Sequence, residues 1–248
     1  MADDGRPMGI LRRSSEVVQL VAAKGPLSIA EVAEQVDMPR ASVYRLTEAL
    51  TQARLVEVGG DGRVRASLRC LRLSDATRGG LEEWAEARSV LDSLSDRTGQ
   101  TTYLSVPVGD HALCIDWSRG RGISVLALKP GRTLPLYAGA AGRATLAFRA
   151  QPLEEYLHQA PFPLLTPHTL TTAEQLAHDV TSTRRLGHSV SDEDVTVGIG
   201  ALGVPLLAPD GTLRGSLSLA GLATDIRGGQ TDLVAALHAS AAHLSVDA

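Results

Sequence analysis

Seven arginines fall between positions 40 and 72: Arg40, Arg45, Arg54, Arg63, Arg65, Arg69 and Arg72. Only Glu48, Glu57 and Asp61 oppose them there, and no lysine stands among them. A guanidinium is a planar fork of donors that matches a phosphate or the outer edge of a guanine, which a diffuse ammonium charge does not. The chemistry this suggests is nucleic-acid binding. A charge run is often only a solvated face, however, so these arginines gain meaning from the elements that carry them.

The other reactive side chains are less organised. His188, Ser189, Ser191, Asp192 and Asp194 supply the residue types of a hydrolytic triad, but adjacent positions on a helix-exit loop do not give relay geometry. That stretch reads as a solvated loop, and no Gly-x-Ser-x-Gly elbow is present. Gly198, Gly200 and Gly203 match a dinucleotide fingerprint by letters, yet they precede a strand rather than open a helix. The seven histidines are scattered, and Cys70 and Cys114 lack metal-ligand spacing. No metal and no cofactor are expected. Cys114 lies in the apolar run Ala112–Ile115 and reads as a small hydrophobe. The alternative, from a different class, is an enzyme or redox sensor that uses its thiol.

The elements around the arginines are informative. Val17, Val18, Leu20 and Val21 lie on a helical stretch that stops at Lys24-Gly25-Pro26. Ser28-Ile29-Ala30-Glu31 forms a capping box for a short second helix, and Asp37-Met38-Pro39 turns tightly into a third. The spacing predicts that this third helix, Arg40 to Gln52, turns Val43, Leu46, Ala49 and Leu50 inward. Its outer face then carries Arg40, Ser42, Tyr44, Arg45 and Thr47. A small hairpin follows, Leu55–Val58 and Arg63–Arg65 about Gly59-Gly60-Asp61-Gly62. Three helices and an arginine-bearing hairpin make a winged helix-turn-helix. In that arrangement Arg40, Ser42, Tyr44 and Arg45 face the major groove of double-stranded DNA, while Arg63 and Arg65 hold the backbone. Residues 1–75 carry 11 basic and 10 acidic side chains, so one copy neutralises few phosphates and a dimer is implied.

The remainder carries 13 basic and 18 acidic side chains. Leu81, Trp84, Ala87, Leu91 and Leu94 recur at helical spacing and predict a connector helix over residues 76–99. Strands are expected at Thr101–Val108, His111–Trp117 and Ile123–Leu128, then helices at Gly139–Ala150 and Pro152–His158. Residues 159–170 form a loop, and Thr171-Thr172-Ala173-Glu174 reads as a second capping box for a helix ending at Gly187. Ala201–Leu207, Thr212–Ala220 and a helix from Thr231 to Ser245 close the chain. The fold class is α+β, with residues 1–75, 76–99 and 100–248 as DNA-binding domain, connector and sheet domain. Met1-Ala2-Asp3-Asp4-Gly5 is acidic and lacks an apolar core, and no membrane-spanning run is evident. A reduced, cytoplasmic protein is expected.

The order of motifs resembles the IclR family of bacterial transcriptional regulators. The resemblance rests on Met38–Leu46, on Leu134-Pro135-Leu136-Tyr137-Ala138-Gly139-Ala140-Ala141-Gly142-Arg143, on Arg184–Asp194, on Gly198–Leu206 and on Leu217–Gly221. It implies a GAF-like effector-binding domain with an antiparallel sheet, an operator as DNA partner, and a homodimer or homotetramer. It also implies a repressor of an adjacent catabolic operon. Carried over by position, the family's effector site falls on Ile123, Leu126, Leu134, Ala140, Ala141, Ser191, Ala201, Ser218 and Ala220. That wall is mostly apolar, with backbone N–H groups near Ala140–Gly142 available to hold a carboxylate or carbonyl. It implies a flat small-molecule effector, an aromatic acid or a close derivative such as an amide or hydrazide.

Overall fold

The computed structural model describes residues 7–79, 84–122 and 128–245. The chain divides into two compact units, Met1–Glu82 and Glu83–Ala248. Both belong to an α+β architecture. Among the described residues no helix is long and apolar enough to cross a membrane.

The first unit holds α1 (Pro7–Lys24), α2 (Ile29–Gln35), α3 (Arg40–Gln52), the hairpin β1 (Val56–Val58) and β2 (Val64–Ala66), and α4 (Arg69–Gly79). Ser28 caps α2 as expected: its hydroxyl accepts from the Glu31 N–H, and the Glu31 carboxylate accepts from the Ser28 N–H. Two donors left over at a helix start are thereby satisfied. Asp37, with φ of 48°, turns the chain into α3. Val17, Val21, Val32, Val43, Leu50, Val56 and Val64 form the core. The inner face of α3 differs from the expected one: Thr47 is buried, Leu46 is half-buried and Ala49 is exposed. Positions 43, 47 and 50 are one helical stripe, and the short Thr47 side chain fits between the two larger ones.

In the second unit, α5 spans Ala87–Thr98. Trp84 to Glu86 form a turn before it; of the connector helix expected over 76–99, residues 80–83 lie outside the described residues, and the described part is the end of α4, this turn and α5. A six-stranded sheet follows in the spatial order β5-β4-β3-β8-β7-β6, antiparallel throughout. Its strands are β3 (Thr101–Val108), β4 (His111–Ser118), β5 (Thr133–Pro135), β6 (Ser189–Asp192), β7 (Ile199–Leu207) and β8 (Leu213–Leu222). The strand expected at Ile123–Leu128 lies outside the described residues except for Leu128, which is not in a strand. The helices are α6 (Gly139–Phe148), α7 (Leu153–Leu157), α8 (Ala173–Leu186), α9 (Ala223–Gly228) and α10 (Gln230–Ser245). α5 and α10 pack on one face of the sheet, and α6 lies on the other with α8 beside it. The cap of α8 sits one residue later than expected, with Thr172 and Gln175 exchanging the reciprocal bonds.

The start of α6 rests almost directly on β7. A Cβ on Gly203 would lie 2.8 Å from the Ala140 carbonyl oxygen, closer than side chains pack against backbone. The Ser189 hydroxyl donates to that same oxygen at 2.7 Å. Gly203→Ala must therefore push α6 off the sheet. Urea unfolding should show a loss of about 1–3 kcal/mol, the usual range for overpacking. An unchanged midpoint would mean that α6 has slack the contact distances do not suggest.

Candidate functional site

Two sites emerge, one in each unit. On α3, Arg40, Tyr44 and Arg45 are exposed and Ser42 is half-buried, so the four lie on the outer face as expected. Tyr44 is 64% exposed, so its ring is open to a partner. Arg40 and Arg45 have no ion-pair partner among the described residues. The wing arginines differ. Arg63 donates to the Pro26 carbonyl at 2.9 Å and lies 3.4 Å from Glu31, while Arg65 pairs with Asp61 at 2.9 Å. Hydrogen bonds from the Arg63 N–H and from Arg65 hold the Asp61 carboxyl below the usual carboxylate range. The wing thus offers phosphate two guanidiniums that are already shared with acids. Asp61 was visible in the sequence as an acid among these arginines, but the pairing of Arg63 with Glu31 was not, because Glu31 lies on α2.

The second site is a cavity of about 50 Å³ between the sheet and the first turn of α6. Seven of the nine positions carried over from the resemblance line it: Leu134, Ala140, Ala141, Ser191, Ala201, Ser218 and Ala220. Ile123 and Leu126 lie outside the described residues. Tyr103, Leu128, Gly139, Val195, Thr196 and Ile199 also line it and were not anticipated. Tyr103 on β3 stands opposite Ser218 on β8, so both side chains share a face. Pairing two strands so distant in sequence is what brings Tyr103 in. The only sequence signal was its place in the alternation of Thr101–Val108.

The stretch after Gly187 is not a solvated loop. Residues Ser189–Asp192 form the edge strand β6, and Ser189, Ser191 and Asp194 are buried. Here the small hydroxyls face inward and hydrogen-bond, which inverts the usual apolar-in pattern. The Asp194 carboxylate has three partners among the described residues: it accepts from the Gly139 N–H at 3.0 Å, receives a short hydrogen bond from Ser191, and lies 3.4 Å from Arg143. Arg143 is 4% exposed; it donates to Asp179 at 2.6 Å and closely to the Val190 carbonyl. Burial pushes the Asp179 carboxyl up, and the nearby Asp194 adds to this, against the pull of Arg143. One N–H at the start of α6 is therefore already occupied by a protein carboxylate, and the Ser191 hydroxyl is likewise engaged.

The two halves of the chain match two family descriptions. Residues 11–59 match the IclR helix-turn-helix domain, and residues 81–246 match the bacterial transcriptional regulator IclR C-terminal domain. The chain belongs to the IclR family. It is 28% identical over 190 residues to the probable transcriptional regulator SauR of Cupriavidus necator, covering 76% of this chain and 75% of the relative. To an HTH-type transcriptional regulator of Mycobacterium tuberculosis it is 32% identical over 205 residues, covering 79% and 76%. Its fold is that of an IclR homologue of Microbacterium hydrocarbonoxydans solved with 4-hydroxybenzoate: TM-score 0.78 at 21% identity, covering 96% and 98% of the two chains. The IclR domains and relatives that it matches are transcriptional regulators and not enzymes. It is accordingly a DNA-binding transcriptional regulator.

Cys114 does not suit the alternative redox reading. It is fully buried, and burial, reinforced by Asp116, pushes its thiol up to about 12. A thiolate is the reactive form, so this sulfur is inert at neutral pH. In the native IclR-family chain, a thiol reagent at neutral pH should label Cys70, which is partly exposed, and leave Cys114 unmodified until denaturant is added. Labelling of both at similar rates would show Cys114 to be accessible.

Proposed function

We propose that this IclR-family regulator binds its operator as a dimer through α3 and the wing, and that a small effector in the cavity under α6 controls that binding. The effector is a flat, mostly apolar molecule with one polar end, an aromatic acid or a close derivative such as an amide or hydrazide. The regulated genes form an adjacent catabolic operon, which the protein represses in the cytoplasm. The observation that carries this reading is the cavity wall: Leu134, Val195, Ile199 and several alanines surround a few hydroxyl and N–H groups. Apolar walls with sparse, fixed polar groups suit ring-bearing ligands and give a two-carbon acid little to hold, although a cavity of about 50 Å³ must widen to admit a ring. The homologue solved with 4-hydroxybenzoate supports an aromatic ligand by analogy of fold.

Charge and surface support a dimer. Two of the arginines facing DNA are shared with acids, so a single copy has little to set against the phosphates. Ile10 and Leu11 on α1, with Leu71 and Leu73 on α4, are exposed apolar side chains suited to a second copy. Pairing of dimers through the effector units would give the tetramer. Calorimetric titration with benzoate, benzamide, glyoxylate and pyruvate tests the effector class. Binding of an aromatic compound with a gel shift of the DNA upstream of the gene is the expected result. Tight binding of the two small acids, with no response to either aromatic, would overturn it.

A further inference from the structure

The charge around the cavity decides which end of the effector class fits. No Lys, Arg or His lines it among the described residues. Arg143, two residues beyond the lining Ala141 on α6, is committed to Asp179, Asp194 and a carbonyl. A helix start carries the equivalent of about half a positive charge. Asp194 sets a full carboxylate against it, bonded to the first N–H of α6. With Arg143 shared between Asp179 and Asp194, this end of α6 offers a ligand no uncommitted cation. The backbone donors remain, but the field that would make them an anion site does not.

A second observation points to what is held instead. Tyr103 lines the cavity, is 2% exposed, and its hydroxyl has no hydrogen-bond partner among the described residues. Buried hydroxyls are seldom left so, because the loss of water is not repaid. Burial also pushes its pKa well above the ordinary tyrosine value, so it remains a neutral donor.

From these features we propose that the effector is uncharged: an aromatic carboxamide or similar neutral carbonyl compound, whose polar end takes hydrogen bonds from Tyr103 and the first turn of α6, and not the free carboxylate. This rests on the cavity being the effector site. It narrows the class to its neutral members and gives the regulator a means to sense the neutral compound before hydrolysis to the acid.

The test compares isosteric pairs by calorimetry on the whole protein at neutral pH: benzamide with benzoate, and 4-hydroxybenzamide with 4-hydroxybenzoate. The amide should bind about tenfold or more tightly in each pair, a factor that corresponds to 1.4 kcal/mol. Tyr103→Phe should weaken the amides about tenfold and leave the acids nearly unchanged, with an unaltered melting temperature showing that the variant folds. Asp194→Asn should narrow the gap between amide and acid. Equal or tighter binding of the acids would overturn the neutral-ligand proposal while leaving the cavity as effector site. Failure of all four compounds to bind would count against the site itself.

Discussion

Arg143→Met is expected to destabilise the effector unit by about 3–5 kcal/mol, the range for removing one partner of a buried ion cluster. The side chain is 4% exposed and joins α6 to Asp179 on α8 and to Asp194 beyond β6. Removing the cation leaves the buried Asp194 and the half-buried Asp179 without a counter-charge. Each then favours its protonated form, so its folded pKa rises above the unfolded value. Between those two values the folded state binds more protons, and stability falls as pH rises. The deficit of the variant should therefore be largest near neutral pH and shrink as pH is lowered toward about 5. Urea unfolding followed by tryptophan fluorescence reads this unit alone, since Trp84 and Trp117 both lie within it. A deficit below about 1 kcal/mol at every pH would mean that the cluster relaxes or hydrates once broken.

The largest effect on DNA binding is expected at Arg45. It is exposed on α3 with no acid holding it among the described residues, so its donor fork is available to a guanine. Arg45→Ala should weaken operator binding by about 1–3 kcal/mol and relax base preference at one position. Arg63 lies 3.4 Å from Glu31 and must exchange that partner for phosphate. Arg63→Ala should weaken all sequences alike, by less than Arg45→Ala, and lower the salt slope by about one. Competition binding on operator and scrambled duplexes at several salt concentrations separates the two. Equal losses from both variants on every sequence would contradict the division between reading and gripping.

The parts of the fold legible in the sequence were those fixed locally. The Ser28–Glu31 box, the turn through Pro39 and the alternation of Thr101–Val108 each act over a few residues, and the structure places α2, α3 and β3 accordingly. β6 was illegible because its inward positions, Ser189 and Ser191, are hydroxyls rather than apolar side chains. They are tolerated inside because the Ala140 carbonyl and the Asp194 carboxylate accept their hydrogens. The cluster of Arg143, Asp179 and Asp194 was beyond reach for another reason. Its members come from α6, α8 and the exit of β6, and only the packing of those elements unites them. The same holds for Tyr103, which enters the cavity through the pairing of β3 with β8. Most of the cavity wall was reached by resemblance, but its charge was not. That charge depends on which groups are already bonded to each other.

Control of DNA binding through the cavity is best tested by fluorescence anisotropy of a labelled duplex from the DNA upstream of the gene, titrated with protein in the presence and absence of saturating benzamide. The wild-type protein should bind that duplex, and benzamide should weaken binding by about tenfold, within the usual span of coupling between two sites. A variant with the cavity filled, Ala220→Leu, should bind the duplex equally well and ignore the ligand. Unchanged affinity of the wild type with benzamide, benzoate and their 4-hydroxy forms alike, or an equal response from the filled variant, would contradict regulation through this cavity.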